Sequence, residues 1–179
     1  QRVRPSVWRW VAVTGAQGPV LMDGVARGHA HAVFVPAGAT LEVGRPLRGV
    51  RSYVAVSGGI AVDPVLGSRS TDTLAWVGPP RVQDGDRLPL GESEGEPVAH
   101  DTPRPPAAGP LRLDPGPRDD WFAADALDRL CAAAYTVAVD SDRIGLRTEG
   151  PPLTRVREGE LASEGMVLGA VQVPPSGLP

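Results

Sequence analysis

Glycine and proline cut this chain into short pieces, and no other feature limits its fold as much. There are 22 glycines and 20 prolines among 179 residues, without a collagen-like period. Short apolar runs between such turn formers are the pattern of many strands joined by tight connections. Residues 7–14, 20–22, 31–35, 40–43 and 51–57 read as strands, as do 87–90 beyond a second turn signal. Asp23-Gly24 and Asp84-Gly85 are the hairpin-type dipeptides. A mainly β chain follows.

Periodicity is lost across residues 91–109, where proline, glycine and acids collect, and residues 96–109 are expected to be a linker. It separates a first β-unit over 1–95 from a second over 110–179. In the second unit, 110–114, 135–139, 144–147 and 167–173 read as strands. Asp119 or Asp120 is placed to cap one helix over 121–133. Phe122, Leu127, Leu130 and Cys131 form the face expected to be buried.

Composition excludes several functions. The formal net charge is −3, which argues against a non-specific nucleic-acid binder. All the basic residues are arginines. Without lysine the chain holds no phosphate-binding Walker loop, no Schiff-base centre and no biotin attachment site. A single cysteine, Cys131, rules out an internal disulfide framework or a thiolate-built metal site. No run approaches the roughly 20 apolar residues of a membrane helix, and the first residues lack the pattern of a secretory signal. A cytoplasmic location is the default.

The richest chemistry lies in residues 51–72. An alternating strand runs into Gly58-Gly59, then into Gly67-Ser68-Arg69-Ser70-Thr71. Two glycines admit close approach of a ligand or of another backbone. The following loop offers N–H groups, three hydroxyls and a guanidinium, which suit a carboxylate, amide or phosphate. A binding loop and a tight corner of a β-rich core are both consistent with it. In the second unit, Arg143 and Arg147 are placed to clamp an anion or to pair with Asp142 and Glu149. Glu164 sits beside a glycine, and Gln172 is either a substrate contact or a backbone clamp. His29 and His31 would share a face if they lay on one strand, but no third metal ligand accompanies them. Trp8 and Trp10 fit an interface, a barrel mouth or ordinary core packing.

Taken in order, these segments resemble one family. They are Val13-Thr14-Gly15-Ala16, Asp23-Gly24, Tyr53-Val54-Ala55-Val56-Ser57-Gly58-Gly59-Ile60, Pro64-Val65-Leu66-Gly67-Ser68-Arg69-Ser70-Thr71 and Gly85-Asp86-Arg87-Leu88. Pro115-Gly116-Pro117 with Asp120 and Phe122, Ser141-Asp142-Arg143, Gly145, Arg147, Glu164-Gly165, Gly169-Ala170 and Gln172-Val173-Pro174-Pro175-Ser176-Gly177 continue the likeness. The chain is similar to the biotin-dependent carboxyltransferase-related family. That family includes the C-type subunit of 5-oxoprolinase, the second subunit of allophanate hydrolase and an antagonist of a sporulation kinase inhibitor. Gln17 departs from the acid usual in that family. Family members also usually extend further at both ends, so a fragment or a short member is expected.

The resemblance implies tandem cyclophilin-like β-barrel domains, the second incomplete, and a partner subunit of related fold with a further lactam-utilisation subunit. The activity it implies is ATP-dependent opening of 5-oxoproline by the complex, with ATP as the complex's cofactor. An alternative is carboxyl transfer in a urea carboxylase or allophanate system, with biotin on a separate carrier; a third is a non-catalytic regulatory subunit. The substrate-binding candidates are Gly58, Gly59, Ser68, Arg69, Ser70, Arg143, Arg147, Glu164 and Gln172.

Overall fold

The computed structural model describes residues 1–98, 109–142 and 144–179. The chain divides into two compact units, Gln1–Pro106 and Ala107–Pro179. The fold is mainly β with a single α-helix among the described residues, and its strands form open sheets.

In the first unit the strands are β1 (Arg2–Val3), β2 (Arg9–Gln17), β3 (Val20–Met22), β4 (Val25–Ala26), β5 (Ala32–Val35), β6 (Leu41–Val43) and β7 (Arg48–Val56). One sheet runs β1-β6-β3-β4 and the other β5-β2-β7, with antiparallel pairing throughout. Period-2 alternation decides what is buried. Val11 and Val13 of β2 point inward with Val20, Val35, Ala39 and Leu41, and Met22, Val33, Val43 and Val56 pack against them. Each large aliphatic side chain contributes roughly 1.5–3 kcal/mol when fully buried.

Turn chemistry fixes the registers. Asp23 and Gly24 both have positive φ, 48° and 82°, as the two-residue β3–β4 hairpin requires. Thr40 N–H donates to the Asp23 carboxylate at 2.9 Å, tying this hairpin to the start of β6. Register between β2 and β7 shifts near Gly15, a bulge. There the Arg51 carbonyl, with the Tyr53 ring beside it, lies so close to the glycine that no side chain fits. Elsewhere on β2, Trp10 meets Phe34 edge-on at 5.4 Å, and Trp8, just before the strand, stacks on the same ring at 5.8 Å. Trp8 and Phe34 remain half-exposed.

The second unit holds α1 (Ala126–Ala132) and the pair β8 (Thr136–Val137) and β9 (Thr148–Glu149). The helix is shorter than the sequence predicts. Asp119–Trp121 form a single 3-10 turn, and Phe122 is extended at φ −118° and ψ 160°. Pairing with a distant segment explains the difference. Val156 N–H donates to Trp121 O at 2.9 Å and Ala123 N–H to Thr154 O at 3.0 Å, and these bonds outcompete local helix propensity. The expected buried face is also corrected. Ala126 is buried, Phe122 and Leu130 are half-buried, and Leu127 and Cys131 are exposed.

Several expected strands are absent from the described residues. Residues 87–90 contribute only a bridge from Leu90 to Ile60. Segments 110–114, 144–147 and 167–173 join no ladder. Residues 99–108, most of the expected linker, lie outside the described residues.

Candidate functional site

The glycine turn after β7 is closed by the chain itself. Ser57 N–H donates to Trp10 O at 2.8 Å, and Gly59 N–H returns to Val56 O at 2.9 Å. A second segment then crosses the turn: Gly91 N–H donates to Gly59 O at 3.1 Å, and Ala61 N–H to Pro89 O at 2.8 Å. A side chain on Gly58 would collide with the Gly91 carbonyl, and one on Gly91 with the Gly58 carbonyl. Close backbone approach therefore accounts for Gly58. Arg9 completes the crossing by donating from Nη2 to Gly91 O at 3.1 Å. Gly59 differs: it is exposed, at φ +67°, with open space where a side chain would project.

The glycine- and hydroxyl-rich loop forms a two-residue hairpin. Val65 and Ser68 exchange backbone bonds of 2.8 and 3.0 Å, and Leu66 and Gly67 carry positive φ of 50° and 80°. Ser70 N–H donates to Ser68 Oγ at 3.1 Å. Arg69 is exposed and donates from Nε to Val62 O at 2.7 Å. That bond braces the loop and fixes the plane of the guanidinium. Among the described residues no carboxylate lies in ion-pair reach of Arg69.

In the second unit the candidates separate into two local networks. Residues 141–147 lie in the loop between β8 and β9. The Asp142 carboxylate accepts from Ile144 N–H at 2.8 Å and Gly145 N–H at 3.1 Å. Arg147 pairs with Asp140 at 3.4 Å rather than with Asp142 or Glu149. Arg143 lies outside the described residues. Glu164 accepts a charged hydrogen bond from Arg118, which raises the Arg118 guanidinium further above its ordinary value. Any stability linked to that shift is complete below the unfolded value and lost only as pH rises beyond it. Arg157 pairs with Asp120 at 2.5 Å, and the Arg155 guanidinium lies 5.2 Å from the Trp121 ring centre. Gln172 is exposed on irregular backbone rather than on a strand.

Sequence reasoning missed Gly91 and Arg9, which close the Gly58 turn. The available signal was a second glycine at the end of the 87–90 segment, since crossing backbones need small residues on both sides. The histidines do not share a strand face. His29 precedes β5 in a turn where Ala30 has φ +60° and donates to Val13 O at 2.8 Å. No group of three or more metal-ligating side chains occurs among the described residues.

Among the described residues, open antiparallel sheets, one α-helix, a crossed glycine turn and a hairpin followed by Arg69 define a mainly β chain of two units. Residues 2–179 match the family model for the carboxyltransferase domain, subdomain A and B, and the chain belongs to that family. It is 36% identical over 174 residues to the C-type subunit of 5-oxoprolinase from Escherichia coli K12, covering 95% of this chain and 56% of the relative. Against the corresponding 5-oxoprolinase subunit of Haemophilus influenzae, identity is 30% over 148 residues, covering 81% of this chain and 48% of that one. The chain thus spans about half the length of these curated relatives. The urea amidolyase of Saccharomyces cerevisiae is 29% identical over 157 residues, covering 79% of this chain and 9% of the relative. A crystal structure of TTHA0988 superposes with a TM-score of 0.66 at 35% identity, covering 99% of this chain and 35% of the other.

Proposed function

We propose that this chain is part of a subunit of an ATP-dependent 5-oxoprolinase, which opens the lactam of 5-oxoproline to glutamate together with partner subunits. The observation that carries this reading is the 36% identity to the C-type 5-oxoprolinase subunit, sustained over 95% of the chain. Opening a lactam needs carbonyl activation, stabilisation of an oxyanion, and a hold on the substrate carboxylate. Arg69 is the proposed anchor. With Nε held by Val62 O, the terminal guanidinium nitrogens form the fork that receives a carboxylate through two parallel bonds. Ser68 and Ser70 supply nearby hydroxyl donors, and Gly59, whose N–H already donates to Val56 O, leaves open space for a ligand to approach. Gly58 shapes the turn. Arg143, Arg147, Glu164 and Gln172 are secondary candidates, and Arg147 and Glu164 are already engaged by Asp140 and Arg118.

ATP does not fit this chain's own residues. The chain has no lysine, and the loop best suited to phosphate uses its Val65 and Ser68 N–H groups to bond its own carbonyls. In this reading the nucleotide belongs to another member of a cytoplasmic complex, with a partner of related fold and a lactam-utilisation subunit as the other members. Among the described residues, no helix is long and apolar enough to cross a membrane.

The urea amidolyase likeness supports a second reading, carboxyl transfer from a biotin carried elsewhere. One reconstitution separates the two. Combined with its partner subunits, the chain should support ATP-dependent release of glutamate from 5-oxoproline. Activity only with urea and a biotin carrier would replace the first reading by the second. In the same assay, Arg69→Lys keeps the charge and loses the fork. We expect kcat/KM to fall about tenfold or more, the loss of roughly one good charged hydrogen bond, with little change in Tm. An unchanged kcat/KM would remove Arg69 from the site. A fall in Tm that accounts for the lost activity would assign it to bracing alone.

A further inference from the structure

Two adjacent residues at the start of β2 hold the glycine turn. Trp10 does so through its backbone: its N–H donates to Ser57 Oγ at 3.1 Å, and its carbonyl accepts from Ser57 N–H at 2.8 Å. Arg9 does so through its side chain. Nη2 donates to Gly91 O at 3.1 Å and Nη1 to Trp8 O at 2.9 Å. The guanidinium is half-buried, and among the described residues no carboxylate lies in ion-pair reach of it. Its Nε is enclosed and has no hydrogen-bond partner there. A charge spent on two carbonyls, with an enclosed donor left over, is a poor device for stability alone, because the hydrogen bonds only partly repay its desolvation. Such a group calls for another explanation.

The contacts beyond Gly91 supply one. Gly91 belongs to a ladder of two bonds, its own N–H on Gly59 O at 3.1 Å and Ala61 N–H on Pro89 O at 2.8 Å, flanking the bridge between Ile60 and Leu90. So short a ladder is marginal by itself, and exposed Ile60 adds little burial to it. The next carbonyl along, Val62 O, accepts from Arg69 Nε at 2.7 Å. A continuous path therefore runs from one arginine to the other. Arg9 holds Gly91, residues 89–91 hold residues 59–61, and Val62 holds Arg69.

We propose that Arg9 is a positioning residue for the site. By pinning Gly91 it fixes the short ladder, and with it the Val62 carbonyl that orients the Arg69 guanidinium. This rests on the reading of Arg69 as the anchor of the substrate carboxylate. Arg9 itself touches no substrate; it acts through main chain on the group that does. Loosening an anchor weakens the hold on the bound substrate and its transition state alike, so the loss falls on KM rather than on kcat.

The test uses nuclear magnetic resonance of the full chain with isotope-labelled arginine, beside a melting curve and the 5-oxoproline assay with partner subunits. The Arg69 Nε–H resonance is the one that Arg69→Lys removes, and its exchange with water reports the bond to Val62 O. Arg9→Met keeps the apolar stem and loses the donors. It should speed that exchange about threefold or more, as local opening becomes easier. It should also raise KM for 5-oxoproline about tenfold with kcat nearly unchanged. Arg9→Lys keeps one charged donor for Gly91 O and should restore most of both. In an Arg69→Lys background, Arg9→Met should change KM by less than about twofold, because the path ends at a group already altered. Unchanged Arg69 Nε–H exchange in Arg9→Met would overturn the proposal and leave the 5-oxoproline reading standing. So would a full further loss in the Arg69→Lys background, or a fall in Tm with KM unchanged. Faster exchange in a chain whose complex fails to cleave 5-oxoproline would retain the path from Arg9 to Arg69 and discard the activity. An unchanged KM in Arg69→Lys would remove the anchor, and the role of Arg9 with it.

Discussion

The two units of this chain solve burial in different ways. In the first, two sheets enclose Val11, Val13, Val20, Val35, Ala39 and Leu41 as one cluster. In the second, Ala126 and Leu153 are the only buried apolar residues among those described. Order there comes from hydrogen bonds and arginine pairs: Asp142 on the 144–145 backbone, Arg118 on Glu164, Arg157 on Asp120, Arg129 on Asp125. Exposed ion pairs contribute little, about 0–1 kcal/mol each, whereas burial of one leucine contributes more than several of them. The contrast teaches that similar strand-and-turn sequences bury different amounts of apolar surface according to whether their alternation finds a facing sheet.

The largest effect that tests this contrast is in the first core. Leu41 is 1% exposed and belongs to the apolar cluster between the sheets. Leu41→Ala should cost about 2–5 kcal/mol, the usual range for emptying a packed site. Leu153 is 7% exposed, and Ala126 is the one other buried apolar residue among the described residues of its unit, so fewer packed contacts are lost there. Leu153→Ala should fall at or below the bottom of that range. Denaturant titration of both variants checks the order. Equal losses would show that the second unit carries a core of comparable weight.

A smaller effect lies at the crossed glycines. Gly58→Ala meets both a positive φ of 82° and the Gly91 carbonyl, while Gly59→Ala meets a φ of 67° and open space. Left-handed strain of about 1–3 kcal/mol applies to both, so the collision should appear as an additional loss in Gly58→Ala alone. Paired melting curves measure it. Equal Tm values for the two variants would mean that the 89–91 segment swings away freely, and that Gly58 is available to a ligand after all.

What can be read from the sequence follows the same division. β2 and β7 are legible because each carries long alternation, and the β3–β4 turn because Asp23-Gly24 has one good use. Those signals are local. The 121–123 segment reads as helix because its real partners, Thr154 and Val156, lie far along the chain and no local pattern announces them. Spacing puts Arg147 beside Asp142 or Glu149, but Asp142 is occupied by the N–H groups of Ile144 and Gly145, which leaves Asp140. Gly58 and Gly59 look equivalent as letters. Only the crossing of Gly91 tells them apart. Trp76 gives no signal in the sequence because a lone tryptophan in an irregular stretch has no periodicity, and its left-handed backbone shows only in the structure.

The smallest expected effect is also the sharpest test of the second unit. Leu168 is fully exposed and lies in no strand or helix. If the isolated chain keeps it in water, Leu168→Ser changes stability by no more than about 0.5 kcal/mol, as for surface positions generally. Solubility should improve slightly, since an apolar side chain leaves the surface. Denaturant titration at two protein concentrations is the measurement. A loss well above about 0.5 kcal/mol that grows with concentration would place Leu168 against another molecule, because only association makes apparent stability depend on concentration. The same loss without concentration dependence would place it inside a core of the chain's own. Either result would break the contrast between a packed unit and one held by polar contacts, and the first would also say how the second unit's apolar surface is covered.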